Sequence, residues 1–326
     1  MHHLKLNRAI ALLLAATSAL VPTAAAGGLP VRIVDWNIRY ATSSPGRNEK
    51  PWWDLLCPLS SSRCRQPHVV AQLQSIVDGT EHDAGPGAVS IVALQEALAN
   101  QVDDVHKGLR GGTGTWARLG RGRDDGDRRG EFNPVFYRTD QLRLVHDEMK
   151  WLSETPDAPS RSWGAGSNRV VVVGVFEHIA TGKRFIHANT HLDNASRQAR
   201  AEGIKVAVRV VRAVRDAHGA GLGVTLTGDF NSVAGAAGDG DAYQTLAGMD
   251  FLTEVADPGV GAQKIGGITT TWTDFDTDGI SRIDFVWLGP NKENLTTAQR
   301  WEILDNNVDG MKVSDHRATY ADVTFN

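Results

Sequence analysis

Nine short apolar runs constrain this chain more than any other feature. In order they are VRIVDWNIRY, VSIVALQE, NPVFYR, LRLVHDEM, VVVVGVFEH, RFIHANTHL, VTLTGDF, IDFVWL and ATYADVTF. They are rich in Val, Ile and aromatic residues, and they read as β-strands in sheets with one or both faces covered. Thr181-Gly182-Lys183, between two of them, is a hairpin signal. Elsewhere the period changes. From about Ala195 to Ala217, Ile204, Val208, Val211 and Val214 recur every three or four residues and predict an amphipathic helix. A chain that mixes hairpins with helical crossovers is not a pure parallel sheet, so a layered α/β sandwich is expected.

The N-terminus is set apart from this pattern. Lys5 and Arg8 precede an apolar run from Ala9 to Leu20, and Ala24-Ala25-Ala26 offers a small-residue cleavage site, so residues 1–26 read as a secretory signal peptide. The run is too short to span a bilayer, and no later stretch is long or apolar enough. A secreted, extracellular protein with no transmembrane segment is expected, with residues 27–326 forming one domain and the molecule a monomer. Cys57 and Cys64, the two cysteines of the chain, read as one local disulfide in an oxidising compartment. The formal charge of -4 argues against a protein that grips nucleic acid by charge alone. A bound divalent cation can still supply local positive charge to a polyanion. Arg197, Arg200, Lys205, Arg209, Arg212 and Arg215 on the predicted helix read as a solvated face, and RLGRGRDDGDRRGEF reads as a mobile loop.

Chemistry collects where the strands end. Asn37 lies in VDWNIRY, Glu96 in VALQEAL, His191 in NTHLDN, Asp284 in SRIDFVW and the pair Asp315-His316 in VSDHRAT. In TLTGDFNS, Asp229 and Asn231 alternate about Phe230; an extended backbone then puts the two polar groups on one face and the ring on the other. A single such residue is explained by a satisfied buried group or a helix cap. The combination points to chemistry. Carboxylates and an amide oxygen are hard ligands suited to magnesium, manganese or calcium, and two locally paired cysteines argue against a thiolate zinc site. Histidines near such a metal could hold, orient or deprotonate water, and an Asp beside a His fixes its tautomer. The inventory fits metal-assisted attack of water on a phosphate ester.

The ordered set DWNIRY, ALQEA, GEFNPVFYR, NTHLDN, GDFNS, RIDFVW and SDHRA resembles the endonuclease/exonuclease/phosphatase superfamily, the relatives of deoxyribonuclease I and the abasic-site endonucleases. The resemblance covers residues 27–326. It implies a deoxyribonuclease I-like four-layer α/β sandwich with two packed mixed β-sheets and the site at one end. Carried over position by position, it implies that Asn37, Glu96 and Asp315 lie on the metal side, with Mg2+ or Mn2+ as cofactor. His191 resembles the first catalytic His, which holds a phosphate oxygen or assists the leaving group. Asp229 and Asn231 resemble the pair facing the scissile phosphate and the attacking water, His316 resembles the second catalytic His, and Asp284 the acid that orients it. Glu131, seven residues before Arg138, resembles the acid that pairs with the first His.

Three further features are weaker. DFDTDG begins like a calcium loop, but its twelfth position is Phe285 where a bidentate Glu would stand, so it reads as an acidic turn with a structural Ca2+ as the alternative. Asn194 and Asn294 both match the glycosylation pattern; a glycan at Asn194 would crowd His191, which leaves Asn294 as the acceptor. Trp163, with Arg161 and Arg169, could form a substrate lip by stacking and phosphate pairing, or Trp163 could pack within its loop. The expected partner is a phosphate-ester substrate. A secreted phosphodiesterase or nuclease acting on nucleic acid or nucleotides ranks first, because no membrane-docking extension is evident. A phosphatase or phospholipase-type hydrolase on inositol phosphates or sphingomyelin ranks second, and a non-catalytic binding protein last.

Overall fold

The computed structural model describes residues 27–79, 88–112, 114–235 and 241–326. The expected signal peptide, residues 1–26, lies outside the described residues. Two mixed sheets carry the architecture. The first has seven strands in the order β10 (Gln263–Ile265), β12 (Thr296–Ile303), β15 (Thr319–Phe325), β1 (Leu29–Asn37), β2 (Val89–Gln95), β4 (Val135–Arg138) and β3 (Trp116–Leu119). The second has six: β5 (Leu142–Trp151), β6 (Val170–His178), β7 (Arg184–His191), β8 (Gly223–Asp229), β11 (Asp284–Gly289) and β9 (Thr253–Glu254). A small ribbon pairs β13 (Asn307–Val308) with β14 (Met311–Lys312). Helices α1 (Gln66–Asp78), α2 (Ala99–Gly111), α3 (Arg197–His218) and α4 (Ala242–Ala247) complete the described elements.

Three apolar cores separate four layers. Val31, Ile33, Ile91, Val172, Phe185, Val286 and Val323 fill the space between the sheets. Val34, Trp36, Val92 and Leu94 turn the other way, onto α1 and α2, while Val171, Val173, Ile186 and Leu226 pack under α3 and α4. This explains why VVVV and IVAL are apolar at every position: alternate side chains enter different cores, so both faces of the strand need hydrocarbon. The fold is the deoxyribonuclease I-like α/β sandwich that the sequence predicts.

All nine predicted runs are strands. The remaining strands lack the signal that marks those nine. In β12, TTAQRWEI, only Trp301 and Ile303 are buried, since a strand covered on one side keeps polar residues on the other. The predicted helix is α3, capped by Ser196, whose Oγ accepts from Ala199 N at 3.1 Å. Its basic face is not uniformly solvated: Arg200 makes two 2.7 Å hydrogen bonds to Asp241, and Arg215 is buried against Leu222 O and Glu293. Cys57 and Cys64 are disulfide-bonded, closing two short 3-10 turns ahead of α1. Among the described residues no helix is long and apolar enough to cross a membrane.

Candidate active site

Strand register brings the polar strand ends together. β7 and β8 run parallel with His191 opposite Asp229, and β11 runs antiparallel to β8 with Asp284 opposite the same Asp229. Three adjacent strands of one sheet thus present His191, Asp229 and Asp284 side by side. The other sheet supplies Asn37 at the end of β1, Glu96 just after β2, and Asp315 and His316 just before β15. At these strand ends the sheets are bonded to each other: Asn37 Nδ2 donates to Asp229 Oδ2 at 3.0 Å, and His316 Nδ1 lies 2.9 Å from Asp284 Oδ2.

The opening glycine of GDFN has a steric reason. Gly228 adopts φ 154°, and a Cβ there would sit 2.2 Å from Thr190 O on β7, so only glycine lets β8 approach so closely. Phe230 turns into the core against Phe285 and Trp287, while Asp229 and Asn231 face a cavity of about 420 Å3. Glu96 and Asn231 both take left-handed backbone, φ 61° and 48°. That conformation is costly for Glu in particular, and such outliers cluster where a side chain is aimed for function.

Around Asp229 the contacts are dense. Its Oδ1 accepts from Asn231 N at 2.8 Å, and its Oδ2 lies 3.5 Å from His191 Nε2 and 3.7 Å from His316 Nε2. Burial and the neighbouring Asp284 charge push the Asp229 carboxyl up to about 7. The two imidazoles diverge. Burial, reinforced by Arg169 and Arg123, holds His191 well below the ordinary histidine value, whereas for His316 the charges of Asp284 and Asp229 overcome burial and hold it well above. Pairs of titratable groups driven apart in this way mark acid and base assignments.

Glu131 reaches the same cavity and sits 3.7 Å from His191 Nδ1, with both its oxygens taken by Arg123 Nη1 and Nη2 at 2.6 and 3.0 Å. Arg169 also lines the cavity; it donates to Asn194 Oδ1 at 3.1 Å and lies 3.6 Å from Asp193. Trp163 does not join them. It packs toward α3 and borders a separate groove with Glu202, Lys205 and Arg209, because the Asp193 carboxylate draws in the backbone of Gly166 and Ser167 and Ser196 Oγ bonds to Trp163 O. Of the expected lip, Arg169 is at the cavity and Trp163 is not.

On the metal side, Glu96 and Asp315 line one wall. Burial raises the Asp315 carboxyl despite the neighbouring His316 charge, and the Glu96 charge raises it further; Arg39 Nη1 lies 3.9 Å from Glu96 Oε2, and the two acids offer hard oxygen donors of the kind Mg2+ or Mn2+ takes. Asn37 lies between the acids: its Oδ1 accepts from Arg39 N at 3.0 Å and its Nδ2 donates to both Glu96 and Asp229, so the amide spaces two carboxylates. Asp229, Asp284 and His316 also bring ligand atoms within 4.8 Å of one another, but there the Asp284–His316 hydrogen bond already occupies the facing atoms. In the DFDTDG turn the carboxylates do not converge: Asp276 accepts from Asn48, Asp274 accepts from Phe275 N, and Asp278 faces Lys312. The segment is an acidic turn in which the described carboxylates do not assemble the Ca2+ loop that stood as the alternative reading.

Residues that the sequence pattern does not single out complete the site. Tyr40 N donates to Glu96 Oε2 at 3.2 Å. Beneath, Gln95 Nε2 bridges Asp35 on its own sheet and Asn189 on the other, at 2.7 and 2.8 Å, fixing the register of the two sheets under the cavity. Arg123 belongs to the stretch read as a mobile loop. That stretch is a hydrogen-bonded ribbon, with Gly122 N to Asp127 O, Asp124 N to Arg129 O and Arg123 N to Glu131 O. Its glycines at 122, 126 and 130 were the available signal.

No protein-family model and no curated protein matches the sequence. Solved structures do. An endonuclease/exonuclease/phosphatase from Bacteroides vulgatus is 28% identical over 91% of this chain and 99% of its own, with a TM-score of 0.70. The chain's structure neighbours are endonuclease/exonuclease/phosphatase family proteins, and the chain shares the fold of that superfamily, in keeping with the resemblance of its motifs. Within that superfamily, a mannosyl-6-phosphatase from Bacteroides thetaiotaomicron is 25% identical over 90% of this chain and all of its own, TM-score 0.70. D. rerio TDP2 complexed with single strand DNA product is 15% identical over 90% of this chain and 98% of its own, TM-score 0.59, a likeness of fold.

Proposed function

We propose that this protein is a secreted, divalent-metal-dependent phosphoric ester hydrolase whose substrate is a small phosphate monoester such as a sugar phosphate or nucleotide. The observation that carries the reading is the convergence, in one cavity, of Asp229, Asn231 and two imidazoles of opposite protonation beside the carboxylates Glu96 and Asp315. A volume of about 420 Å3 matches a small-molecule site. On α3, Arg200 and Arg215 are committed to ion pairs with Asp241 and Glu293, and the mannosyl-6-phosphatase is the relative named for a substrate at the higher identity. These points favour a small ester over the nucleic acid ranked first from sequence. Hydrolysis of a phosphodiester by the same groups is the second reading.

The phosphate would sit between Asn231 and His191 on one side and the Glu96–Asp315 wall on the other. A magnesium or manganese ion held by Glu96 and Asp315 would supply electrophilic stabilisation of charge on the phosphate oxygens. Asp229, buried beside both imidazoles, is placed to orient and deprotonate the attacking water. His316, charged and fixed by Asp284, stabilises negative charge developing on the phosphate oxygens, Asn231 Nδ2 donates to one of those oxygens, and the Nε2 lone pair of neutral His191 accepts from the attacking water.

A panel of sugar phosphates, nucleotides, an inositol phosphate, sphingomyelin, bis(p-nitrophenyl) phosphate and single-stranded DNA tests the reading. EDTA should abolish turnover, and Mg2+ or Mn2+ should restore it better than Zn2+. Full activity in metal-free protein, or faster cleavage of DNA than of every monoester, would overturn it.

A further inference from the structure

His191 offers the clearest unexplained arrangement near the cavity. Its Nε2 receives Asn231 Nδ2 at 3.1 Å, and that same Nδ2 donates to Leu192 O at 3.1 Å. The carbonyl partner identifies Nδ2 as the NH2 end of the amide, so Nε2 is the acceptor and the ring proton resides on Nδ1. That proton is buried without a hydrogen bond in the described structure, and the Glu131 carboxylate lies 3.7 Å from Nδ1 through Oε2.

What holds Glu131 there is Arg123. The guanidinium meets both carboxylate oxygens in a bidentate pair, a geometry Lys cannot reproduce. Arg123 is itself fixed: its backbone N donates to Glu131 O at 3.1 Å, and its carbonyl accepts from Trp151 Nε1 at 2.7 Å. Gly122 and Gly130 make this ribbon feasible, since a Cβ on them would meet Arg129 O at 2.3 Å and the Asp124 carboxylate at 2.5 Å.

We infer that Arg123 is a positioning residue which, through Glu131, fixes His191 as the Nδ1–H tautomer and leaves Nε2 as a lone pair facing the cavity. Its effect on turnover rests on the phosphate-ester reading above; its effect on the tautomer does not. Released from Arg123, Glu131 can swing toward Arg169, 4.0 Å away, and the Nδ1 side of His191 loses its carboxylate, leaving the Asn231 donor by itself to favour Nδ1–H.

The test combines two readouts on the full chain. Imidazole 15N NMR should find Nδ1–H at His191 in the wild type and a mixture of tautomers in Arg123→Gln. On the best phosphate ester, Arg123→Gln should lose on the order of tenfold or more in kcat with KM little changed, and Arg123→Lys should recover part of the loss. Arg128→Ala, on the same ribbon but paired outward with Asp103, should match the wild type. An unchanged tautomer in Arg123→Gln overturns the inference, as does a rise in KM alone, which would mean direct substrate contact. Should Arg123→Gln fail to fold, the tautomer in Glu131→Gln decides. A wild type inactive on every ester would sink the functional reading while leaving the NMR result to judge Arg123.

Discussion

His191 and His316 stand 3.5 and 3.7 Å from the same oxygen of Asp229, yet they lie in opposite surroundings. Around His191 the nearby charges include Arg123 and Arg169, which join burial in disfavouring a proton. Around His316 they are Asp284, Asp229 and Asp315, which favour one despite complete burial. One fold can therefore hold a neutral and a charged imidazole within reach of a single phosphate. Which side chain is charged is decided by what the neighbouring strands bring, not by the residue type.

The strongest way to break this contrast is to remove each ring. His191→Ala and His316→Ala should each lose ~10²- to 10⁴-fold in kcat with substrate affinity nearly intact. Wild-type rates in either folded variant, measured on the best panel substrate, would show that only one side matters. Exchanging the orienting acids should then separate the sides. Asp284→Asn removes the charge that holds His316 protonated, so activity should fall on the order of 10²-fold and its alkaline limb should move to lower pH. Glu131→Gln should lower kcat by a smaller factor without moving that limb. Identical pH profiles for the two variants would contradict the asymmetry.

Stability should carry the same signature with opposite signs. Raised in the fold, His316 binds its proton there at pH values where the unfolded chain has released it; its contribution is full below about 6.5 and is lost as pH rises through the folded value. Lowered in the fold, His191 is neutral where the unfolded chain is protonated, so its contribution is present above about 6.5 and is lost as pH falls. Urea unfolding in EDTA from pH 5 to 9 should show a falling alkaline limb that His316→Ala flattens and an acid loss that His191→Ala flattens. The smallest effect on chemistry is expected at the disulfide. Cys57→Ser/Cys64→Ser should cost ~2 kcal/mol of stability and keep its turnover at low temperature. Lost turnover in that folded variant would tie the loop to the site.

The sequence by itself determined the nine principal strands, helix α3, the fold and the family resemblance, because a strand buried on two faces must be apolar throughout and a covered helix must repeat every three or four residues. It also marked Asp229, Asn231, His191, Asp284 and His316, polar groups standing where hydrocarbon runs stop. Tertiary structure alone decided how they meet. Asn37 spaces two carboxylates because Arg39 N claims its oxygen, Trp163 is drawn aside by the loop that Asp193 organises, and Arg123 enters the site because a glycine-spaced ribbon folds back on Glu131. Each outcome depends on distances of a few ångströms between groups, several of them set by strand register across two sheets. Hydrogen bonds and charge interactions are short-ranged and directional, so the order of residues along the chain leaves them undetermined until the sheets have packed.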